Sequence, residues 1–193
     1  DDLAPGTSDA KKFPRLVGNC IGGGKHSSAE KKPDFQEFLF IPEIKNVERA
    51  FEINKKKKME VKKTLSEEDK RFNGEKNDED AWITSLNEKE ILEILKKTKL
   101  PAGVDIAASC FYKRTKYNYM NPFLKRDEKE QMEYISNLIK NFNLLYIEDP
   151  FDENDFENFA RLLERFPGRL IVGDDLTTTN PERLKKAIKM KSV

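Results

Sequence analysis

Apolar residues in this chain follow two patterns: short runs that stop on an acidic residue, a glycine or a proline, and longer stretches in which they recur every three or four positions. The runs read as strands and the stretches as amphipathic helices. Clearest among the runs is Leu144-Leu-Tyr-Ile-Glu-Asp-Pro-Phe151. Pro150 cannot continue a ladder, so Glu148 stands at a strand's C-terminal end. Two other runs share this grammar: Ala102 to Ser109 sets Asp105 among small residues, and Arg169 to Leu176 ends on Asp174 and Asp175. Leu16 to Ile21 and Phe35 to Ile41 come earlier, the second closed by Pro42.

Helical spacing is predicted over 47–65, with Val47, Ala50, Phe51, Val61 and Leu65 on the inner side and Lys55 to Lys58 on the solvated face. Further helices begin at Asn87-x-x-Glu90 and Asp127-x-x-Glu130, both shaped like capping boxes, and at Asn180-Pro181. The helix from Asn180 carries Leu184, Ala187 and Ile188; another carries Phe156, Phe159, Leu163 and Phe166 until Pro167-Gly168 stops it. These aromatic stripes read as core. The tally is six strand candidates, the first two joined without a helix and the rest alternating with helices. Strands joined through helices run parallel and present their C-terminal ends on one side. A closed (β/α) barrel needs eight strands, so the pattern predicts an incomplete TIM-type barrel over 15–193, behind a flexible lead at 1–14.

Composition narrows the picture. The chain has 193 residues, enough for one domain with a real core, and its 37% charged residues imply heavily solvated helix faces. A net charge of +1 and the lack of a long apolar span exclude a nucleic-acid or membrane role. Cys20 and Cys110 have no C-x-x-C spacing and His26 is the only histidine, which argues against a structural zinc site and for a reducing, cytoplasmic setting. The chain begins at Asp1 and stops within a Lys-rich helical pattern, which reads as a piece of a longer protein.

The candidate chemistry is acidic. Asp105, Glu148 and Asp174 recur at strand ends and could converge as hard oxygen ligands for Mg²⁺, or stand as three solvated carboxylates. Gly22-Gly-Gly-Lys-His26 fails the Walker spacing; it is either a flexible turn or an active-site loop presenting Lys25 and His26. Glu37, alone in an apolar setting, sits at a wet sheet end or in a site. Asp78-Glu79-Asp80 beside Trp82 is a surface loop, or holds one carboxylate of raised pKa against an apolar wall.

Taken together, Gly22-Gly-Gly-Lys-His26, Gln36-Glu37-Phe38, Asp78-Glu79, Asp105-Ile-Ala-Ala-Ser109, Ile147-Glu-Asp-Pro-Phe151 and Gly173-Asp-Asp-Leu-Thr-Thr-Thr-Asn-Pro181 resemble, in order and spacing, the barrel motifs of the enolase family. The resemblance covers the first two-thirds or so of that barrel, a ββαα(βα)₆ variant. It implies dehydration of 2-phosphoglycerate to phosphoenolpyruvate, with Asp105, Glu148 and Asp174 ligating Mg²⁺ and Glu148 also near the substrate. It implies too that Glu79 protonates the departing hydroxyl, that Glu37 supports Glu79 and contacts substrate, and that His26 lies near the phosphate. The family's lysine base would fall beyond Val193. Asp80-Ala81 stands where the family usually has two glycines, so an added charge beside Glu79 is expected to raise its pKa; Cys110 stands where a glutamate is common. A partial barrel leaves open edges, which predicts a homodimer or a complementing chain. The alternative is a catalytically inactive, enolase-derived binding module.

Overall fold

The computed structural model describes residues 14–193. The expected lead at 1–14 therefore lies outside the described residues, save for Pro14. In chain order, β1 (Gly18–Gly22) turns back antiparallel into β2 (Glu37–Phe40). The long helix α1 (Val47–Glu68) then carries the chain to β3 (Trp82–Ile83), which pairs parallel with the outer edge of β1. Helix α2 (Glu88–Lys97) leads to β4 (Ala102–Asp105), antiparallel to β2.

Between β4 and the next helix the chain makes a meander, β5 (Tyr112–Lys113), β6 (Lys116–Met120) and β7 (Phe123–Arg126), forming its own three-stranded antiparallel sheet. This is an addition to the expected strand and helix alternation. It is anchored by Tyr117 and Tyr119, which alternate inward along β6 and are fully buried. Their hydroxyls are satisfied: Tyr119 donates to Gln131 at 2.7 Å, and Tyr117 accepts from the N–H of Asp152 at 3.1 Å.

Helix α3 (Glu128–Phe142), strand β8 (Tyr146–Glu148), helix α4 (Phe156–Arg165), strand β9 (Leu170–Val172), the short α5 (Asp174–Thr177) and α6 (Pro181–Met190) complete the described chain. The main sheet is six-stranded and mixed, in the order β3-β1-β2-β4-β8-β9, with β4, β8 and β9 mutually parallel as predicted. The expected caps are present. Asn87 with Glu90 and Asp127 with Glu130 close reciprocal capping boxes, and Asn180 accepts from Glu182 and Arg183 ahead of Pro181.

Helix faces differ from the sequence reading at several positions. On α1 the buried stripe runs Ala50, Asn54, Val61, Leu65, while Phe51 is 60% exposed and Val47 40%. The stripe is set by the close approach of α1 to β1: a Cβ at Gly18 would lie 2.4 Å from Nδ2 of Asn54. Positions to the side of that contact face solvent. On α6 only Ala187 is buried, and Leu184 and Ile188 are exposed. Lys58 does not join the solvated run on α1, since its amine pairs with Asp80 at 2.9 Å. Among the described residues no helix is long and apolar enough to cross a membrane.

Candidate functional site

Sheet register assembles the site. Ile83 pairs with Gly22, Gly22 with Glu37, Glu37 with Asp105, Asp105 with Glu148, and Glu148 with Val172. One continuous row thus crosses all six strands, and its third to fifth members are carboxylates on neighbouring strands. Residues paired across strands project on the same side and stand about 5 Å apart. Because β2 runs opposite to β4 and β8, Glu37 begins its strand where Asp105 and Glu148 end theirs. The same end of the sheet carries Asp174, two residues beyond Val172 at the first position of α5.

Each acid in the row has its own partners. Asp105 accepts from the N–H of Ala107 at 3.0 Å and from Gln36 Nε2 at 3.3 Å. Burial first, then the charges of Glu148, Asp149 and Glu37, push its carboxyl up to about 8. Glu148 accepts from the Tyr146 hydroxyl at 2.8 Å; burial raises its pKa, the Tyr146 bond opposes this, and Asp174 and Asp175 add to it. Among the described residues Asp105, Glu148 and Asp174 do not close into a group within 4.8 Å. As donors they are all oxygen, which suits Mg²⁺.

The group that does close is His26, Glu37 and Glu79, whose ligand atoms all lie within 4.8 Å of one another. His26 ends a 3₁₀ turn, Gly24–His26, made possible by the positive φ of +48° at Gly24. The turn is tied down by Gly23 N–H to the Gln36 carbonyl at 2.8 Å and Gly24 N–H to the Pro33 carbonyl at 2.9 Å. Nδ1 of His26 then lies 2.8 Å from Glu79 Oε2 and 3.7 Å from Glu37 Oε1. Burial, the hydrogen bond to Glu79 and the charges of Glu79 and Glu148 push Glu37 up to about 7. For Glu79, burial acts upward, but hydrogen bonds with His26, Glu37 and Asn19 outweigh it and leave the carboxyl below its ordinary value. The neighbouring carboxyls are thus pushed in opposite directions, Glu37 up and Glu79 down.

The expected rise at Glu79 is thus corrected. Asp80 takes a left-handed backbone conformation, with φ of 62°, and sends its carboxylate to Lys58 and Lys76. Those two lysines lower the Asp80 pKa.

Several residues the sequence left silent also build the site. Gln36 reaches Asp105 and, through Oε1, accepts a 3.6 Å bond from the Cys110 thiol. Asn19 Nδ2 donates to Glu79 at 3.1 Å. Asp149, only 2% exposed, turns away from the row at a φ of 42° and accepts from the N–H groups of Asp175 and Leu176. Only its place beside Glu148 could have drawn attention to Asp149.

Comparison with known proteins bears on this arrangement. Residues 10–193 match the family model described as "Enolase, C-terminal TIM barrel domain". The chain is 42% identical to an enolase of Pyrobaculum aerophilum, over 96% of this chain and 46% of that protein. It is 38% identical to enolases of Thermoplasma acidophilum, over 93% of this chain and 47% of that protein, and of Methanosphaera stadtmanae, over 92% and 46%. The chain thus spans about half the length of the curated relatives it matches.

Proposed function

The chain belongs to the enolase family, and from that premise we propose that it supplies the metal-binding and acid half of an enolase that dehydrates 2-phosphoglycerate to phosphoenolpyruvate. The observation that carries this is the row Glu37–Asp105–Glu148 on three adjacent strands, with His26 and Glu79 at one end and Asp174 at the other. Asp105, Glu148 and Asp174 would hold Mg²⁺. Bound there, Mg²⁺ supplies positive charge against the negative charge that builds on a substrate carboxylate as the neighbouring C–H is deprotonated.

This chain's own residues handle the other end of the reaction. Glu79 is the acid for the departing hydroxyl, and Glu37 stores the proton one hydrogen bond away, at a pKa near working pH. His26 orients Glu79 through its 2.8 Å contact and borders the space for the phosphate. Proton abstraction is assigned to no residue of this chain. The six-stranded sheet would be part of an eight-stranded barrel, and the exposed Leu170, Leu184 and Ile188 near its β9 edge would be covered by the remaining strands or a second copy.

A binding module without turnover is favoured by one feature, Asp80-Ala81 in place of two glycines. The ion pairs from Asp80 to Lys58 and Lys76 weaken that case by keeping its charge away from Glu79. The test is Mg²⁺-dependent formation of phosphoenolpyruvate by the chain alone and by the chain with a polypeptide supplying the rest of the family's length. Turnover only on complementation, lost in Asp105→Asn, is expected. Turnover by the chain alone overturns the division of roles, and none in either case, with Mg²⁺ still bound, favours the binding module.

A further inference from the structure

We propose that the cleft walled by Lys25, Lys31, Lys32 and Arg71 binds a small ligand carrying two or more phosphate groups. This does not rest on the reaction proposed above, because none of His26, Glu37, Glu79, Asp105, Glu148 and Asp174 lines the cleft. Its volume is about 550 Å³, within the span of roughly 300–1,000 Å³ that small-molecule sites occupy.

Charge sets the ligand class. Four cations line the cleft, and none of them forms an ion pair among the described residues. Lys32 donates to the Ser27 carbonyl, which fixes its ammonium without neutralising it. Two acids share the lining, Glu30 and Asp34, so positive charge is in excess. Of these, the Asp34 carboxylate already accepts the N–H groups of Met120 and Asn121, at 2.9 and 3.0 Å. Like charges gathered in a concave place repel one another, and an anion of several charges relieves that repulsion more than a single one does. Phosphate oxygens accept from ammonium and guanidinium donors alike, and from arginine in pairs.

The gathering is enforced by the fold. The cations come from two stretches, the loop over 25–32 and residue 71, and they are joined through Asn121, which is 6% exposed. Nδ2 of Asn121 donates to the carbonyls of Lys32 and Ser85, both at 3.1 Å. The N–H groups of Ser85 and Arg71 in turn donate to the Asp69 carboxylate, at 2.7 and 2.9 Å. Arg71 is thereby braced against Lys32 by a chain of hydrogen bonds, and a ligand meeting a prearranged backbone loses less affinity to ordering.

Phe111 and Met120 also line the cleft, and Met120 is 70% exposed. An apolar wall beside the cations can cover a flat group attached to the phosphates, as in a nucleotide.

The test is calorimetry of the full chain with pyrophosphate and, separately, with ADP, with EDTA present so that no metal bridges the anion to the carboxylate row. We expect one pyrophosphate per chain with a Kd below about 1 mM, weakening as salt is raised. In Lys31→Ala/Arg71→Ala, both exposed positions, affinity should fall at least about tenfold. Lys55→Ala/Lys56→Ala, which removes the same charge from the exposed face of α1, should bind as the parent does. Circular dichroism checks that each variant is folded. ADP binding no tighter than pyrophosphate assigns the affinity to the phosphates alone, and tighter binding adds contact with Phe111 and Met120. Absence of pyrophosphate binding, binding unchanged in Lys31→Ala/Arg71→Ala, or an equal loss in the α1 variant would each overturn the assignment.

Discussion

The carboxylate of Asp149 accepts the backbone N–H of Asp175 at 2.9 Å, so the end of β8 holds the start of the short helix on which Asp174 stands. Glu148 and Asp149 are neighbours with different tasks. One projects along the carboxylate row, and the other turns under it to set the position of the turn that carries Asp174. Asp149→Ala leaves the N–H groups of Asp175 and Leu176 without their acceptor in a buried place. We expect a loss of roughly 1–3 kcal/mol in urea unfolding, with weakened Mg²⁺ binding. Asn retains an acceptor and tolerates the left-handed backbone, so Asp149→Asn should cost less; equal losses would contradict the capping role.

Spacing between β4 and β8 depends on Gly103. A Cβ there would lie 2.7 Å from Cβ and 2.9 Å from the carbonyl oxygen of Tyr146, on the strand that carries Glu148. Backbone atoms on a paired strand cannot swing aside. Gly103→Ala should destabilise the fold by about 1–3 kcal/mol, whereas Gly168→Ala, with nothing within 4 Å, serves as a near-neutral control. Thermal unfolding of the two variants side by side measures this, and parity between them would exclude the contact.

Carbon-13 NMR of the glutamate carboxyls can locate the shared proton. Glu37 should titrate near 7, since burial, the hydrogen bond to Glu79 and the charges of Glu79 and Glu148 all favour its neutral form. In Glu79→Gln the midpoint should move down but stay above 4.5, because burial, the largest cause, persists. A midpoint unmoved by that substitution would mean that the two acids do not share a proton. Activity that needs the proton on Glu37 should decline as pH rises through about 7.

Glu88 is a carboxyl with a purely structural effect. It is 2% exposed, accepts the N–H of Asp34 at 2.7 Å, and is pushed up to about 7, chiefly by burial. Below pH 4.5 it is neutral whether the chain is folded or not. Above that the unfolded chain ionises it while the folded chain keeps the proton, so stability falls as pH rises from about 4.5 to about 7 and then stays lower. The loss from this group is roughly 3 kcal/mol. Glu88→Gln should flatten the pH dependence of urea unfolding across that window by this order, and an unchanged slope would count against a neutral Glu88.

Much of this was legible from local pattern. Pro150 and the acids beside it marked the end of β8, apolar residues recurring every three or four positions marked α3 and α4, and Asn87, Asp127 and Asn180 marked helix starts that all form as caps. Such signals survive because they involve residues within one turn of each other. The meander escaped because its strands are short and its buried tyrosines find their partners far along the chain, Tyr119 at Gln131 and Tyr117 at the N–H of Asp152. Phe51 was misread because hydrophobic spacing names a face without saying where the sheet touches it, and that contact was decided by Gly18 against Asn54.

By itself the sequence determined which residue types stand at strand ends and in what order, and with them the enolase family, since motif order and spacing are properties of the chain alone. Tertiary structure decided the rest through register and distance. It aligned Glu37, Asp105 and Glu148 in one row, brought His26 to Glu79, and led Asp80 away to Lys58 and Lys76. The pKa of a carboxylate depends on burial and on charges a few ångströms away, and those neighbours come from distant parts of the chain. Hence the sequence could single out Glu79 and Glu37, while only the fold could show their carboxyls pushed in opposite directions.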